Sequence, residues 1–308
     1  MMVTGGCGFI GSHLVRRLAG QGVGPIVVVD SLRHGHSESL AGLDVEIVAH
    51  ELGFAPAREL ERAMRGVEVV FHLAAEKHNQ SSHEPLRIYR ANVDGTHTLL
   101  DVAGRCGVRK IVFASSLYAY GRDRGAPFLE SEAARPATPY GISKLAGEHM
   151  LEAWRGRFGG AAVALRYLFV YGPACAGAPL APSLIATSFA RIAAGEPPVL
   201  RGDGQQVFDY VFVDDVVDAT LLAMEGDIDG EVFNVGSGEG IGVAALLQRM
   251  LRVSASSLTP ISAPADATSG TSRVASIEKI SRVLGWHPRT RLEDGLERVW
   301  RAHQSVIG

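Results

Sequence analysis

The chain has 308 residues, 46% of them hydrophobic, and a formal net charge of −3, the composition of a globular protein able to bury a large core. So mild a charge excludes a general affinity for nucleic acid or for an anionic membrane surface. No apolar run is long enough to cross a bilayer and no basic-then-apolar leader is read before the first strand. Cys7, Cys106 and Cys175 are too scattered for a disulfide framework or a zinc site, so no metal is expected and a reducing cytoplasm is the expected compartment.

The first element is a short apolar run that leads into MVTGGCGFIG (2–11), where Gly5, Gly8 and Gly11 recur at every third position and FIGSHLVRRLAG opens a helix. IVVVD (26–30) follows, then VEIVA (45–49), VEVVFHLAA (67–75), KIVFASS (110–116) and AVALRYLFVYG (162–172), all read as buried strands. Between them SHLVRRLAGQG, ARELERAMRG, ANVDGTHTLLDVAGRCG and PYGISKLAGEHMLEAW carry apolar residues at helical spacing. Strand and helix in strict alternation predict an α/β fold, a Rossmann doubly wound parallel sheet with helices on both faces. The rhythm changes at PACAGAPLAPS (173–183), a loop or lid. Residues 1–173 are therefore expected to form the nucleotide-binding domain. Residues 174–308 are expected to form a smaller, mainly substrate-binding C-terminal domain, with some chain returning to the first sheet.

The glycine turn stands between a strand and a helix, and Asp30 ends the next strand about 20 residues on. Glycine lets backbone amides crowd a pyrophosphate, and the helix N-terminus adds partial positive charge there. Asp30 would accept hydrogen bonds from the adenosine ribose and repel a 2′-phosphate, which favours NAD, although Arg33 is a cation close by. The amides of Phe9 and Ile10 belong to the same cradle. Further on, Tyr140 and Lys144 in YGISK sit four apart on one helix face. An ammonium near a phenol lowers the phenol's pKa. Ser115 and Ser116 end a parallel strand, where ligands bind in open α/β sheets, and a hydroxyl there can hold a substrate oxygen while Tyr140 moves its proton.

With these motifs in this order, the sequence resembles the extended short-chain dehydrogenase/reductase family of NAD-dependent nucleotide-sugar epimerases and dehydratases, over nearly the whole chain. TGGCGFIG, VFHLAA, NVDGT (92–96), SSLYAYG, YGISK, LRYLFVYGP, VFVDDVVDA, FNVGSG and LGWHP carry the likeness. The resemblance implies NAD as cofactor, a homodimer built on the helices near 89–104 and 140–156, and a UDP- or dTDP-sugar as substrate. It makes Ser116, Tyr140 and Lys144 catalytic. It also adds Glu51, Leu52, Leu73, Ala74, Ala75, Lys77, Asn92 and Tyr167 to the cofactor site, together with Ser115. In the family's dehydratases Asp and Glu follow the catalytic Thr, whereas Leu117 and Tyr118 stand there in this sequence. Elimination is therefore disfavoured and 4-epimerisation is the first expectation, with a dehydrogenase or ketoreductase of the same fold as the alternative. Where the family usually has Asn and Arg on the substrate diphosphate, this chain has Phe169 and Phe208, which could stack on a base, line an apolar site or simply pack. Arg201, Arg273 and Arg166 are candidates to replace the lost charge, Arg166 being the more structural in character. The histidines of HGHSESL and EKHNQSSH are expected in exposed loops, with His78 within reach of the substrate pocket. Asp214 and Asp215 are expected to cap the helix that follows them.

Overall fold

The computed structural model describes residues 1–121, 127–175, 178, 183–266 and 268–307, so part of the loop expected at 173–183 lies outside the described residues. Its first half runs β1 (Met2–Thr4), α1 (Phe9–Gly20), β2 (Val27–Asp30), β3 (Glu46–Ala49), α2 (Ala57–Ala63), β4 (Val69–His72), α3 (Pro85–Tyr89), α4 (Gly95–Arg105), β5 (Lys110–Ser116), α5 (Pro139–Phe158) and β6 (Ala161–Tyr167). Beyond β6 come β7 (Phe169–Tyr171), α6 (Leu184–Ala193), β8 (Val199–Arg201), β9 (Val207–Phe212), α7 (Val213–Glu225) and β10 (Glu231–Val235). The chain ends with β11 (Gly240–Gly242), α8 (Val243–Val253), β12 (Ile261–Ala263), β13 (Ser272–Arg273), α9 (Glu278–Leu284) and α10 (Leu292–Ile307).

Seven parallel strands form the main sheet in the order β10-β6-β5-β4-β1-β2-β3, which reverses direction at β1. Successive side chains point to opposite faces of a strand, and here both faces are buried, which is why these strands read as unbroken apolar runs. Val3, Val28, Phe71 and Val112 pack beneath α1 and α7. Their neighbours Met2, Val29, Val70 and Phe113 pack beneath α2, α4 and α5. A third core gathers Ile185, Phe189, Phe212, Leu246, Leu247, Met250 and Leu296 around β7 and β9, where β9 pairs with β7, β11 and β13.

Two details depart from the sequence reading. The single strand expected at 162–172 is two: Leu168 donates its amide to Val235, and the next three residues leave the main sheet to pair with β9. One apolar run thus serves two cores, and its composition gives no sign of the break. Asp214 and Asp215 lie inside the first turn of α7 instead of capping it. The buried Asp215 carboxylate accepts the amides of Arg289 and Thr290, while Asp214 pairs with Arg298.

Candidate active site

The turn after β1 is built so that backbone faces outward. Gly5 has φ +70°, a left-handed conformation, and a Cβ on Gly11 would stand 2.1 Å from the Gly5 carbonyl oxygen. Gly8 leads into α1 with no side chain capping the helix, so the first amides of α1 are left for a ligand. Asp30 is buried at the end of β2, its carboxylate accepting the Cys7 and Leu32 amides at 2.9 Å. Arg33 turns away to Glu76 at 3.4 Å and Glu84 at 3.2 Å, so this cation is already neutralised. Bare amides beside a buried carboxylate suit a pyrophosphate and a ribose diol, and the residues present fit NAD.

From this turn a cleft of about 1290 Å³ runs along the carboxyl ends of the strands, at the point where strand order reverses. It is walled by Gly5, Gly8, Phe9, Ile10, Gly11, Asp30, Glu51, Leu52, Leu73, Ala74, Ala75, Lys77, Ser115, Ser116, Tyr140, Lys144, Tyr167, Phe169 and Phe208. Asn92 and Arg273 are not on that wall. Asn92 sits behind it in a π-helical turn between α3 and α4. Its amide is engaged by the Glu76 backbone and by Ser143, 3.1 Å away, so it ties the segment after β4 to α5. Tyr167 lends its ring only, its hydroxyl being bonded to Thr220 at 2.8 Å. Lys77 lies exposed at the rim.

Tyr140 is placed by the start of α5, where Pro139 fixes the first turn and the Thr138 hydroxyl accepts the Gly141 amide at 3.1 Å. Its phenol lies near the Ser116 hydroxyl, at the end of β5, which draws its pKa down. One turn on, Lys144 is buried, donates to the Ala114 carbonyl at 2.8 Å and lies 5.6 Å from the centre of the Tyr140 ring. Here a sequence expectation is reversed. Burial pushes the Tyr140 phenol up to about 12, above its ordinary value, against the pull of the Ser116 hydroxyl. Burial likewise lowers Lys144 to about 7, opposed by Glu148. Desolvation penalises the charged form of both groups, and the ammonium is not hydrogen-bonded to the phenol.

Toward the smaller cores, His78 stacks on Tyr118 with ring centres 3.6 Å apart, and both rings meet Tyr140 edge-on at 5.9 Å. The His78 ring is held down at about 4 by burial and by the charge of Arg273, which lies 5.0 Å over the Tyr118 ring. Phe169 and Phe208 pack together at 4.6 Å with Tyr210 beside them, an apolar wall that is at once packing and cleft lining. Arg166 is excluded as a phosphate ligand, being locked to Glu148 at 2.7 Å deep below the site. Arg191 is tied to Glu196. Arg201, exposed on β8 at the cleft, is in no ion pair among the described residues and has Asp266 as its charged neighbour. Next to it the buried Gln206 donates to the Arg201 carbonyl, while its Oε1 has no partner. Glu76, Glu148, Gln206 and Tyr210 were not singled out from the sequence. Glu148 alone had a signal, standing four residues past Lys144 on the same face.

A Rossmann sheet with a glycine turn, a buried carboxylate at the end of the second strand and a Ser-Tyr-Lys set on one cleft defines a short-chain dehydrogenase/reductase type of enzyme with a dinucleotide cofactor. Residues 1–236 match the NAD dependent epimerase/dehydratase family, and the chain belongs to it. It is 34% identical to a UDP-glucose 4-epimerase of Thermotoga maritima, solved with UDP-glucose, with a TM-score of 0.93 over 100% of this chain and 99% of that one. A Thermus thermophilus UDP-glucose 4-epimerase solved with NAD is 31% identical, with a TM-score of 0.89 and 98% of each chain covered. The UDP-glucose 4-epimerase of Halalkalibacterium halodurans is 32% identical over 99% of this chain and 95% of its own length. NAD is the cofactor. Among the described residues, no helix is long and apolar enough to cross a membrane.

Proposed function

We propose that the chain is an NAD-dependent 4-epimerase of nucleotide sugars, with UDP-sugars the first substrates to test. The observation that carries this reading is the Ser116-Tyr140-Lys144 set without a carboxylate beside it. Leu117 is buried and Tyr118 is stacked between His78 and Arg273, so neither can serve as the acid or base of an elimination. The carboxylates that do line the cleft are engaged elsewhere: Asp30 with two amides, Glu51 and Glu76 with Arg87, Asp266 with Thr268.

Bound NAD+ supplies a hydride acceptor that can also return the hydride. Ser116 holds the reacting sugar oxygen and Tyr140 takes its proton at the phenol oxygen, then gives it back. Because burial makes the phenolate costly, it is a strong base that exists only while a neighbouring positive charge offsets it, and Lys144 is the protein's own contribution to that charge. Arg201 and Arg273, neither in an ion pair among the described residues, are the cations offered to the substrate diphosphate in place of a residue at position 208, and the aromatic wall takes the apolar faces of base and sugar. Leu86 and Ile142, apolar and exposed on α3 and α5, fit the homodimer the resemblance implies.

The test is incubation of the purified protein with UDP-glucose and UDP-N-acetylglucosamine, followed by proton NMR and absorbance at the NADH band. Inversion at C4 with no net absorbance change is the expected result. Stoichiometric NADH would favour the dehydrogenase alternative, which draws on Phe169 and Phe208 at the usual phosphate positions.

A further inference from the structure

Tyr140, Lys144 and Glu148 recur at four-residue intervals along α5, and the third has no place in the chemistry above. Glu148 is buried, its side chain 6% exposed. Its carboxylate accepts both arms of Arg166, from Nε at 2.9 Å and Nη2 at 2.7 Å, and a hydrogen bond from the Ser115 hydroxyl. Arg166 comes from β6 and lies 4.4 Å over the Tyr120 ring, while Ser115 immediately precedes Ser116 on β5. A carboxylate fixed from two strands thus stands one helical turn past the lysine.

Lys144 has little else to hold its charge. Its ammonium donates to one carbonyl and has no carboxylate within ion-pair distance among the described residues. From its own helix it faces Tyr140 and Glu148; from β5 it faces the Phe113 ring at 5.0 Å; from β4 it faces His72, whose ring is held between the Thr4 and Thr96 hydroxyls. Glu148 is the negative charge in that set.

We infer that Glu148 is a positioning residue that keeps Lys144 an ammonium in the buried site and, through Ser115, holds the strand end carrying Ser116 opposite Tyr140. The inference rests on the proposed reaction for the use of Lys144, but its electrostatic content can be measured without turnover.

Glu148→Gln retains the shape and removes the charge. The expected result is that the alkaline limb of the kcat profile moves down by about one pH unit, with kcat at pH 8 falling about tenfold and KM little changed. The Lys144 resonance in lysine-13C-labelled protein, assigned with Lys144→Arg, titrates lower by the same amount. Arg166→Gln leaves Glu148 charged and does not carry the limb to lower pH, whereas a purely structural pair would lower activity alike in both variants with the limb in place. Should Glu148→Gln fail to fold, the Glu148→Gln/Arg166→Met pair, which removes the Arg166 cation along with its partner, is expected to show a downward shift in the same direction but smaller, because the opposing charge of Arg166 is lost with that of Glu148. An unmoved Lys144 titration, or a downward shift in Arg166→Gln, would overturn the inference. Absence of turnover with every nucleotide sugar would instead sink the epimerase reading and leave the lysine titration to decide this one.

Discussion

Tyr140 and Ser116 both line the cleft with their hydroxyls close enough to influence each other, and that pairing sets what each substitution does. Tyr140→Phe removes the proton carrier assigned to the reacting oxygen, so kcat is expected to fall by about 10³-fold, within the range for a general acid-base group, with the fold and NAD binding kept. Ser116→Ala removes a bond that orients the substrate oxygen and is expected to cost about 10- to 100-fold in kcat. Steady-state kinetics with NAD content measured on the same samples checks both, and a Tyr140→Phe enzyme with full turnover would refute the assigned proton path. These side chains were legible in the sequence because a hydroxyl at a strand end and a Tyr-Lys pair at helical spacing are local patterns. Their protonation was not legible. Whether a lysine lowers a phenol's pKa depends on how far both are desolvated, and the depth of Lys144 beneath Tyr140 follows from the packing of β5 against α5. How Asn92 and Arg273 stand to the cleft is not legible for the same reason, since a side chain that supports a wall and one that forms it have the same sequence signature.

The distance between Ser116 and Tyr140 is fixed by how closely α5 lies on β5. A Cβ on Gly147 would come within 2.4 Å of the Phe113 ring, a position too tight for any other residue. Phe113 is fully buried in the core beneath α4 and α5, so the ring has nowhere to go. Gly147→Ala is therefore expected to push α5 off the sheet, costing about 1–3 kcal/mol by overpacking despite the better helix propensity of alanine. The same displacement parts Tyr140 from Ser116, so kcat falls further than the loss of folded protein accounts for. Thermal unfolding together with kcat per folded molecule measures the two effects, and an unchanged kcat would mean that the spacing is set elsewhere. Most strands and helices were readable because burial on both faces, helical periodicity and glycine stops are written locally. The break at Leu168 and the π-helical turn at 90–94 were not. The first is decided by which sheet the chain can pair with, the second by the bonds of Asn92 to Glu76 and Ser143.

Across the chain as a whole, stability is tied to pH by groups that folding desolvates. His72 lies at the centre of the sheet, accepting or donating at Thr4, 2.7 Å away on β1, and at Thr96, 2.9 Å away on α4. Burial lowers its pKa to about 3, so the folded protein holds it neutral. Between pH 6.5 and 3 the unfolded chain binds a proton that the folded one does not, and stability falls as pH falls through that window. At about 1.4 kcal/mol per pH unit, a drop from pH 6.5 to 4.5 removes about 2–3 kcal/mol, a sizeable share of a typical folding free energy. Lys144, lowered to about 7, acts in the next window: between pH 7 and 10.5 the unfolded chain keeps a proton that the folded one has lost, and stability rises with pH. Tyr120 and Tyr140, raised to about 12, reverse the sign above pH 10, where the unfolded chain ionises first. The contribution of these groups is thus expected to peak near pH 10, with an acid side steeper than surface carboxylates alone would give. His72→Asn isolates the first contribution. The amide can still bridge the two threonines without titrating, so the variant is expected to lose about 1 kcal/mol at pH 7 and to show a shallower decline in melting temperature from pH 6.5 to 4.5. His78, lowered to about 4, leaves a residual slope in the same window. Wild type and variant declining in parallel would show that His72 is not the proton-linked group and that the acid sensitivity arises at another site.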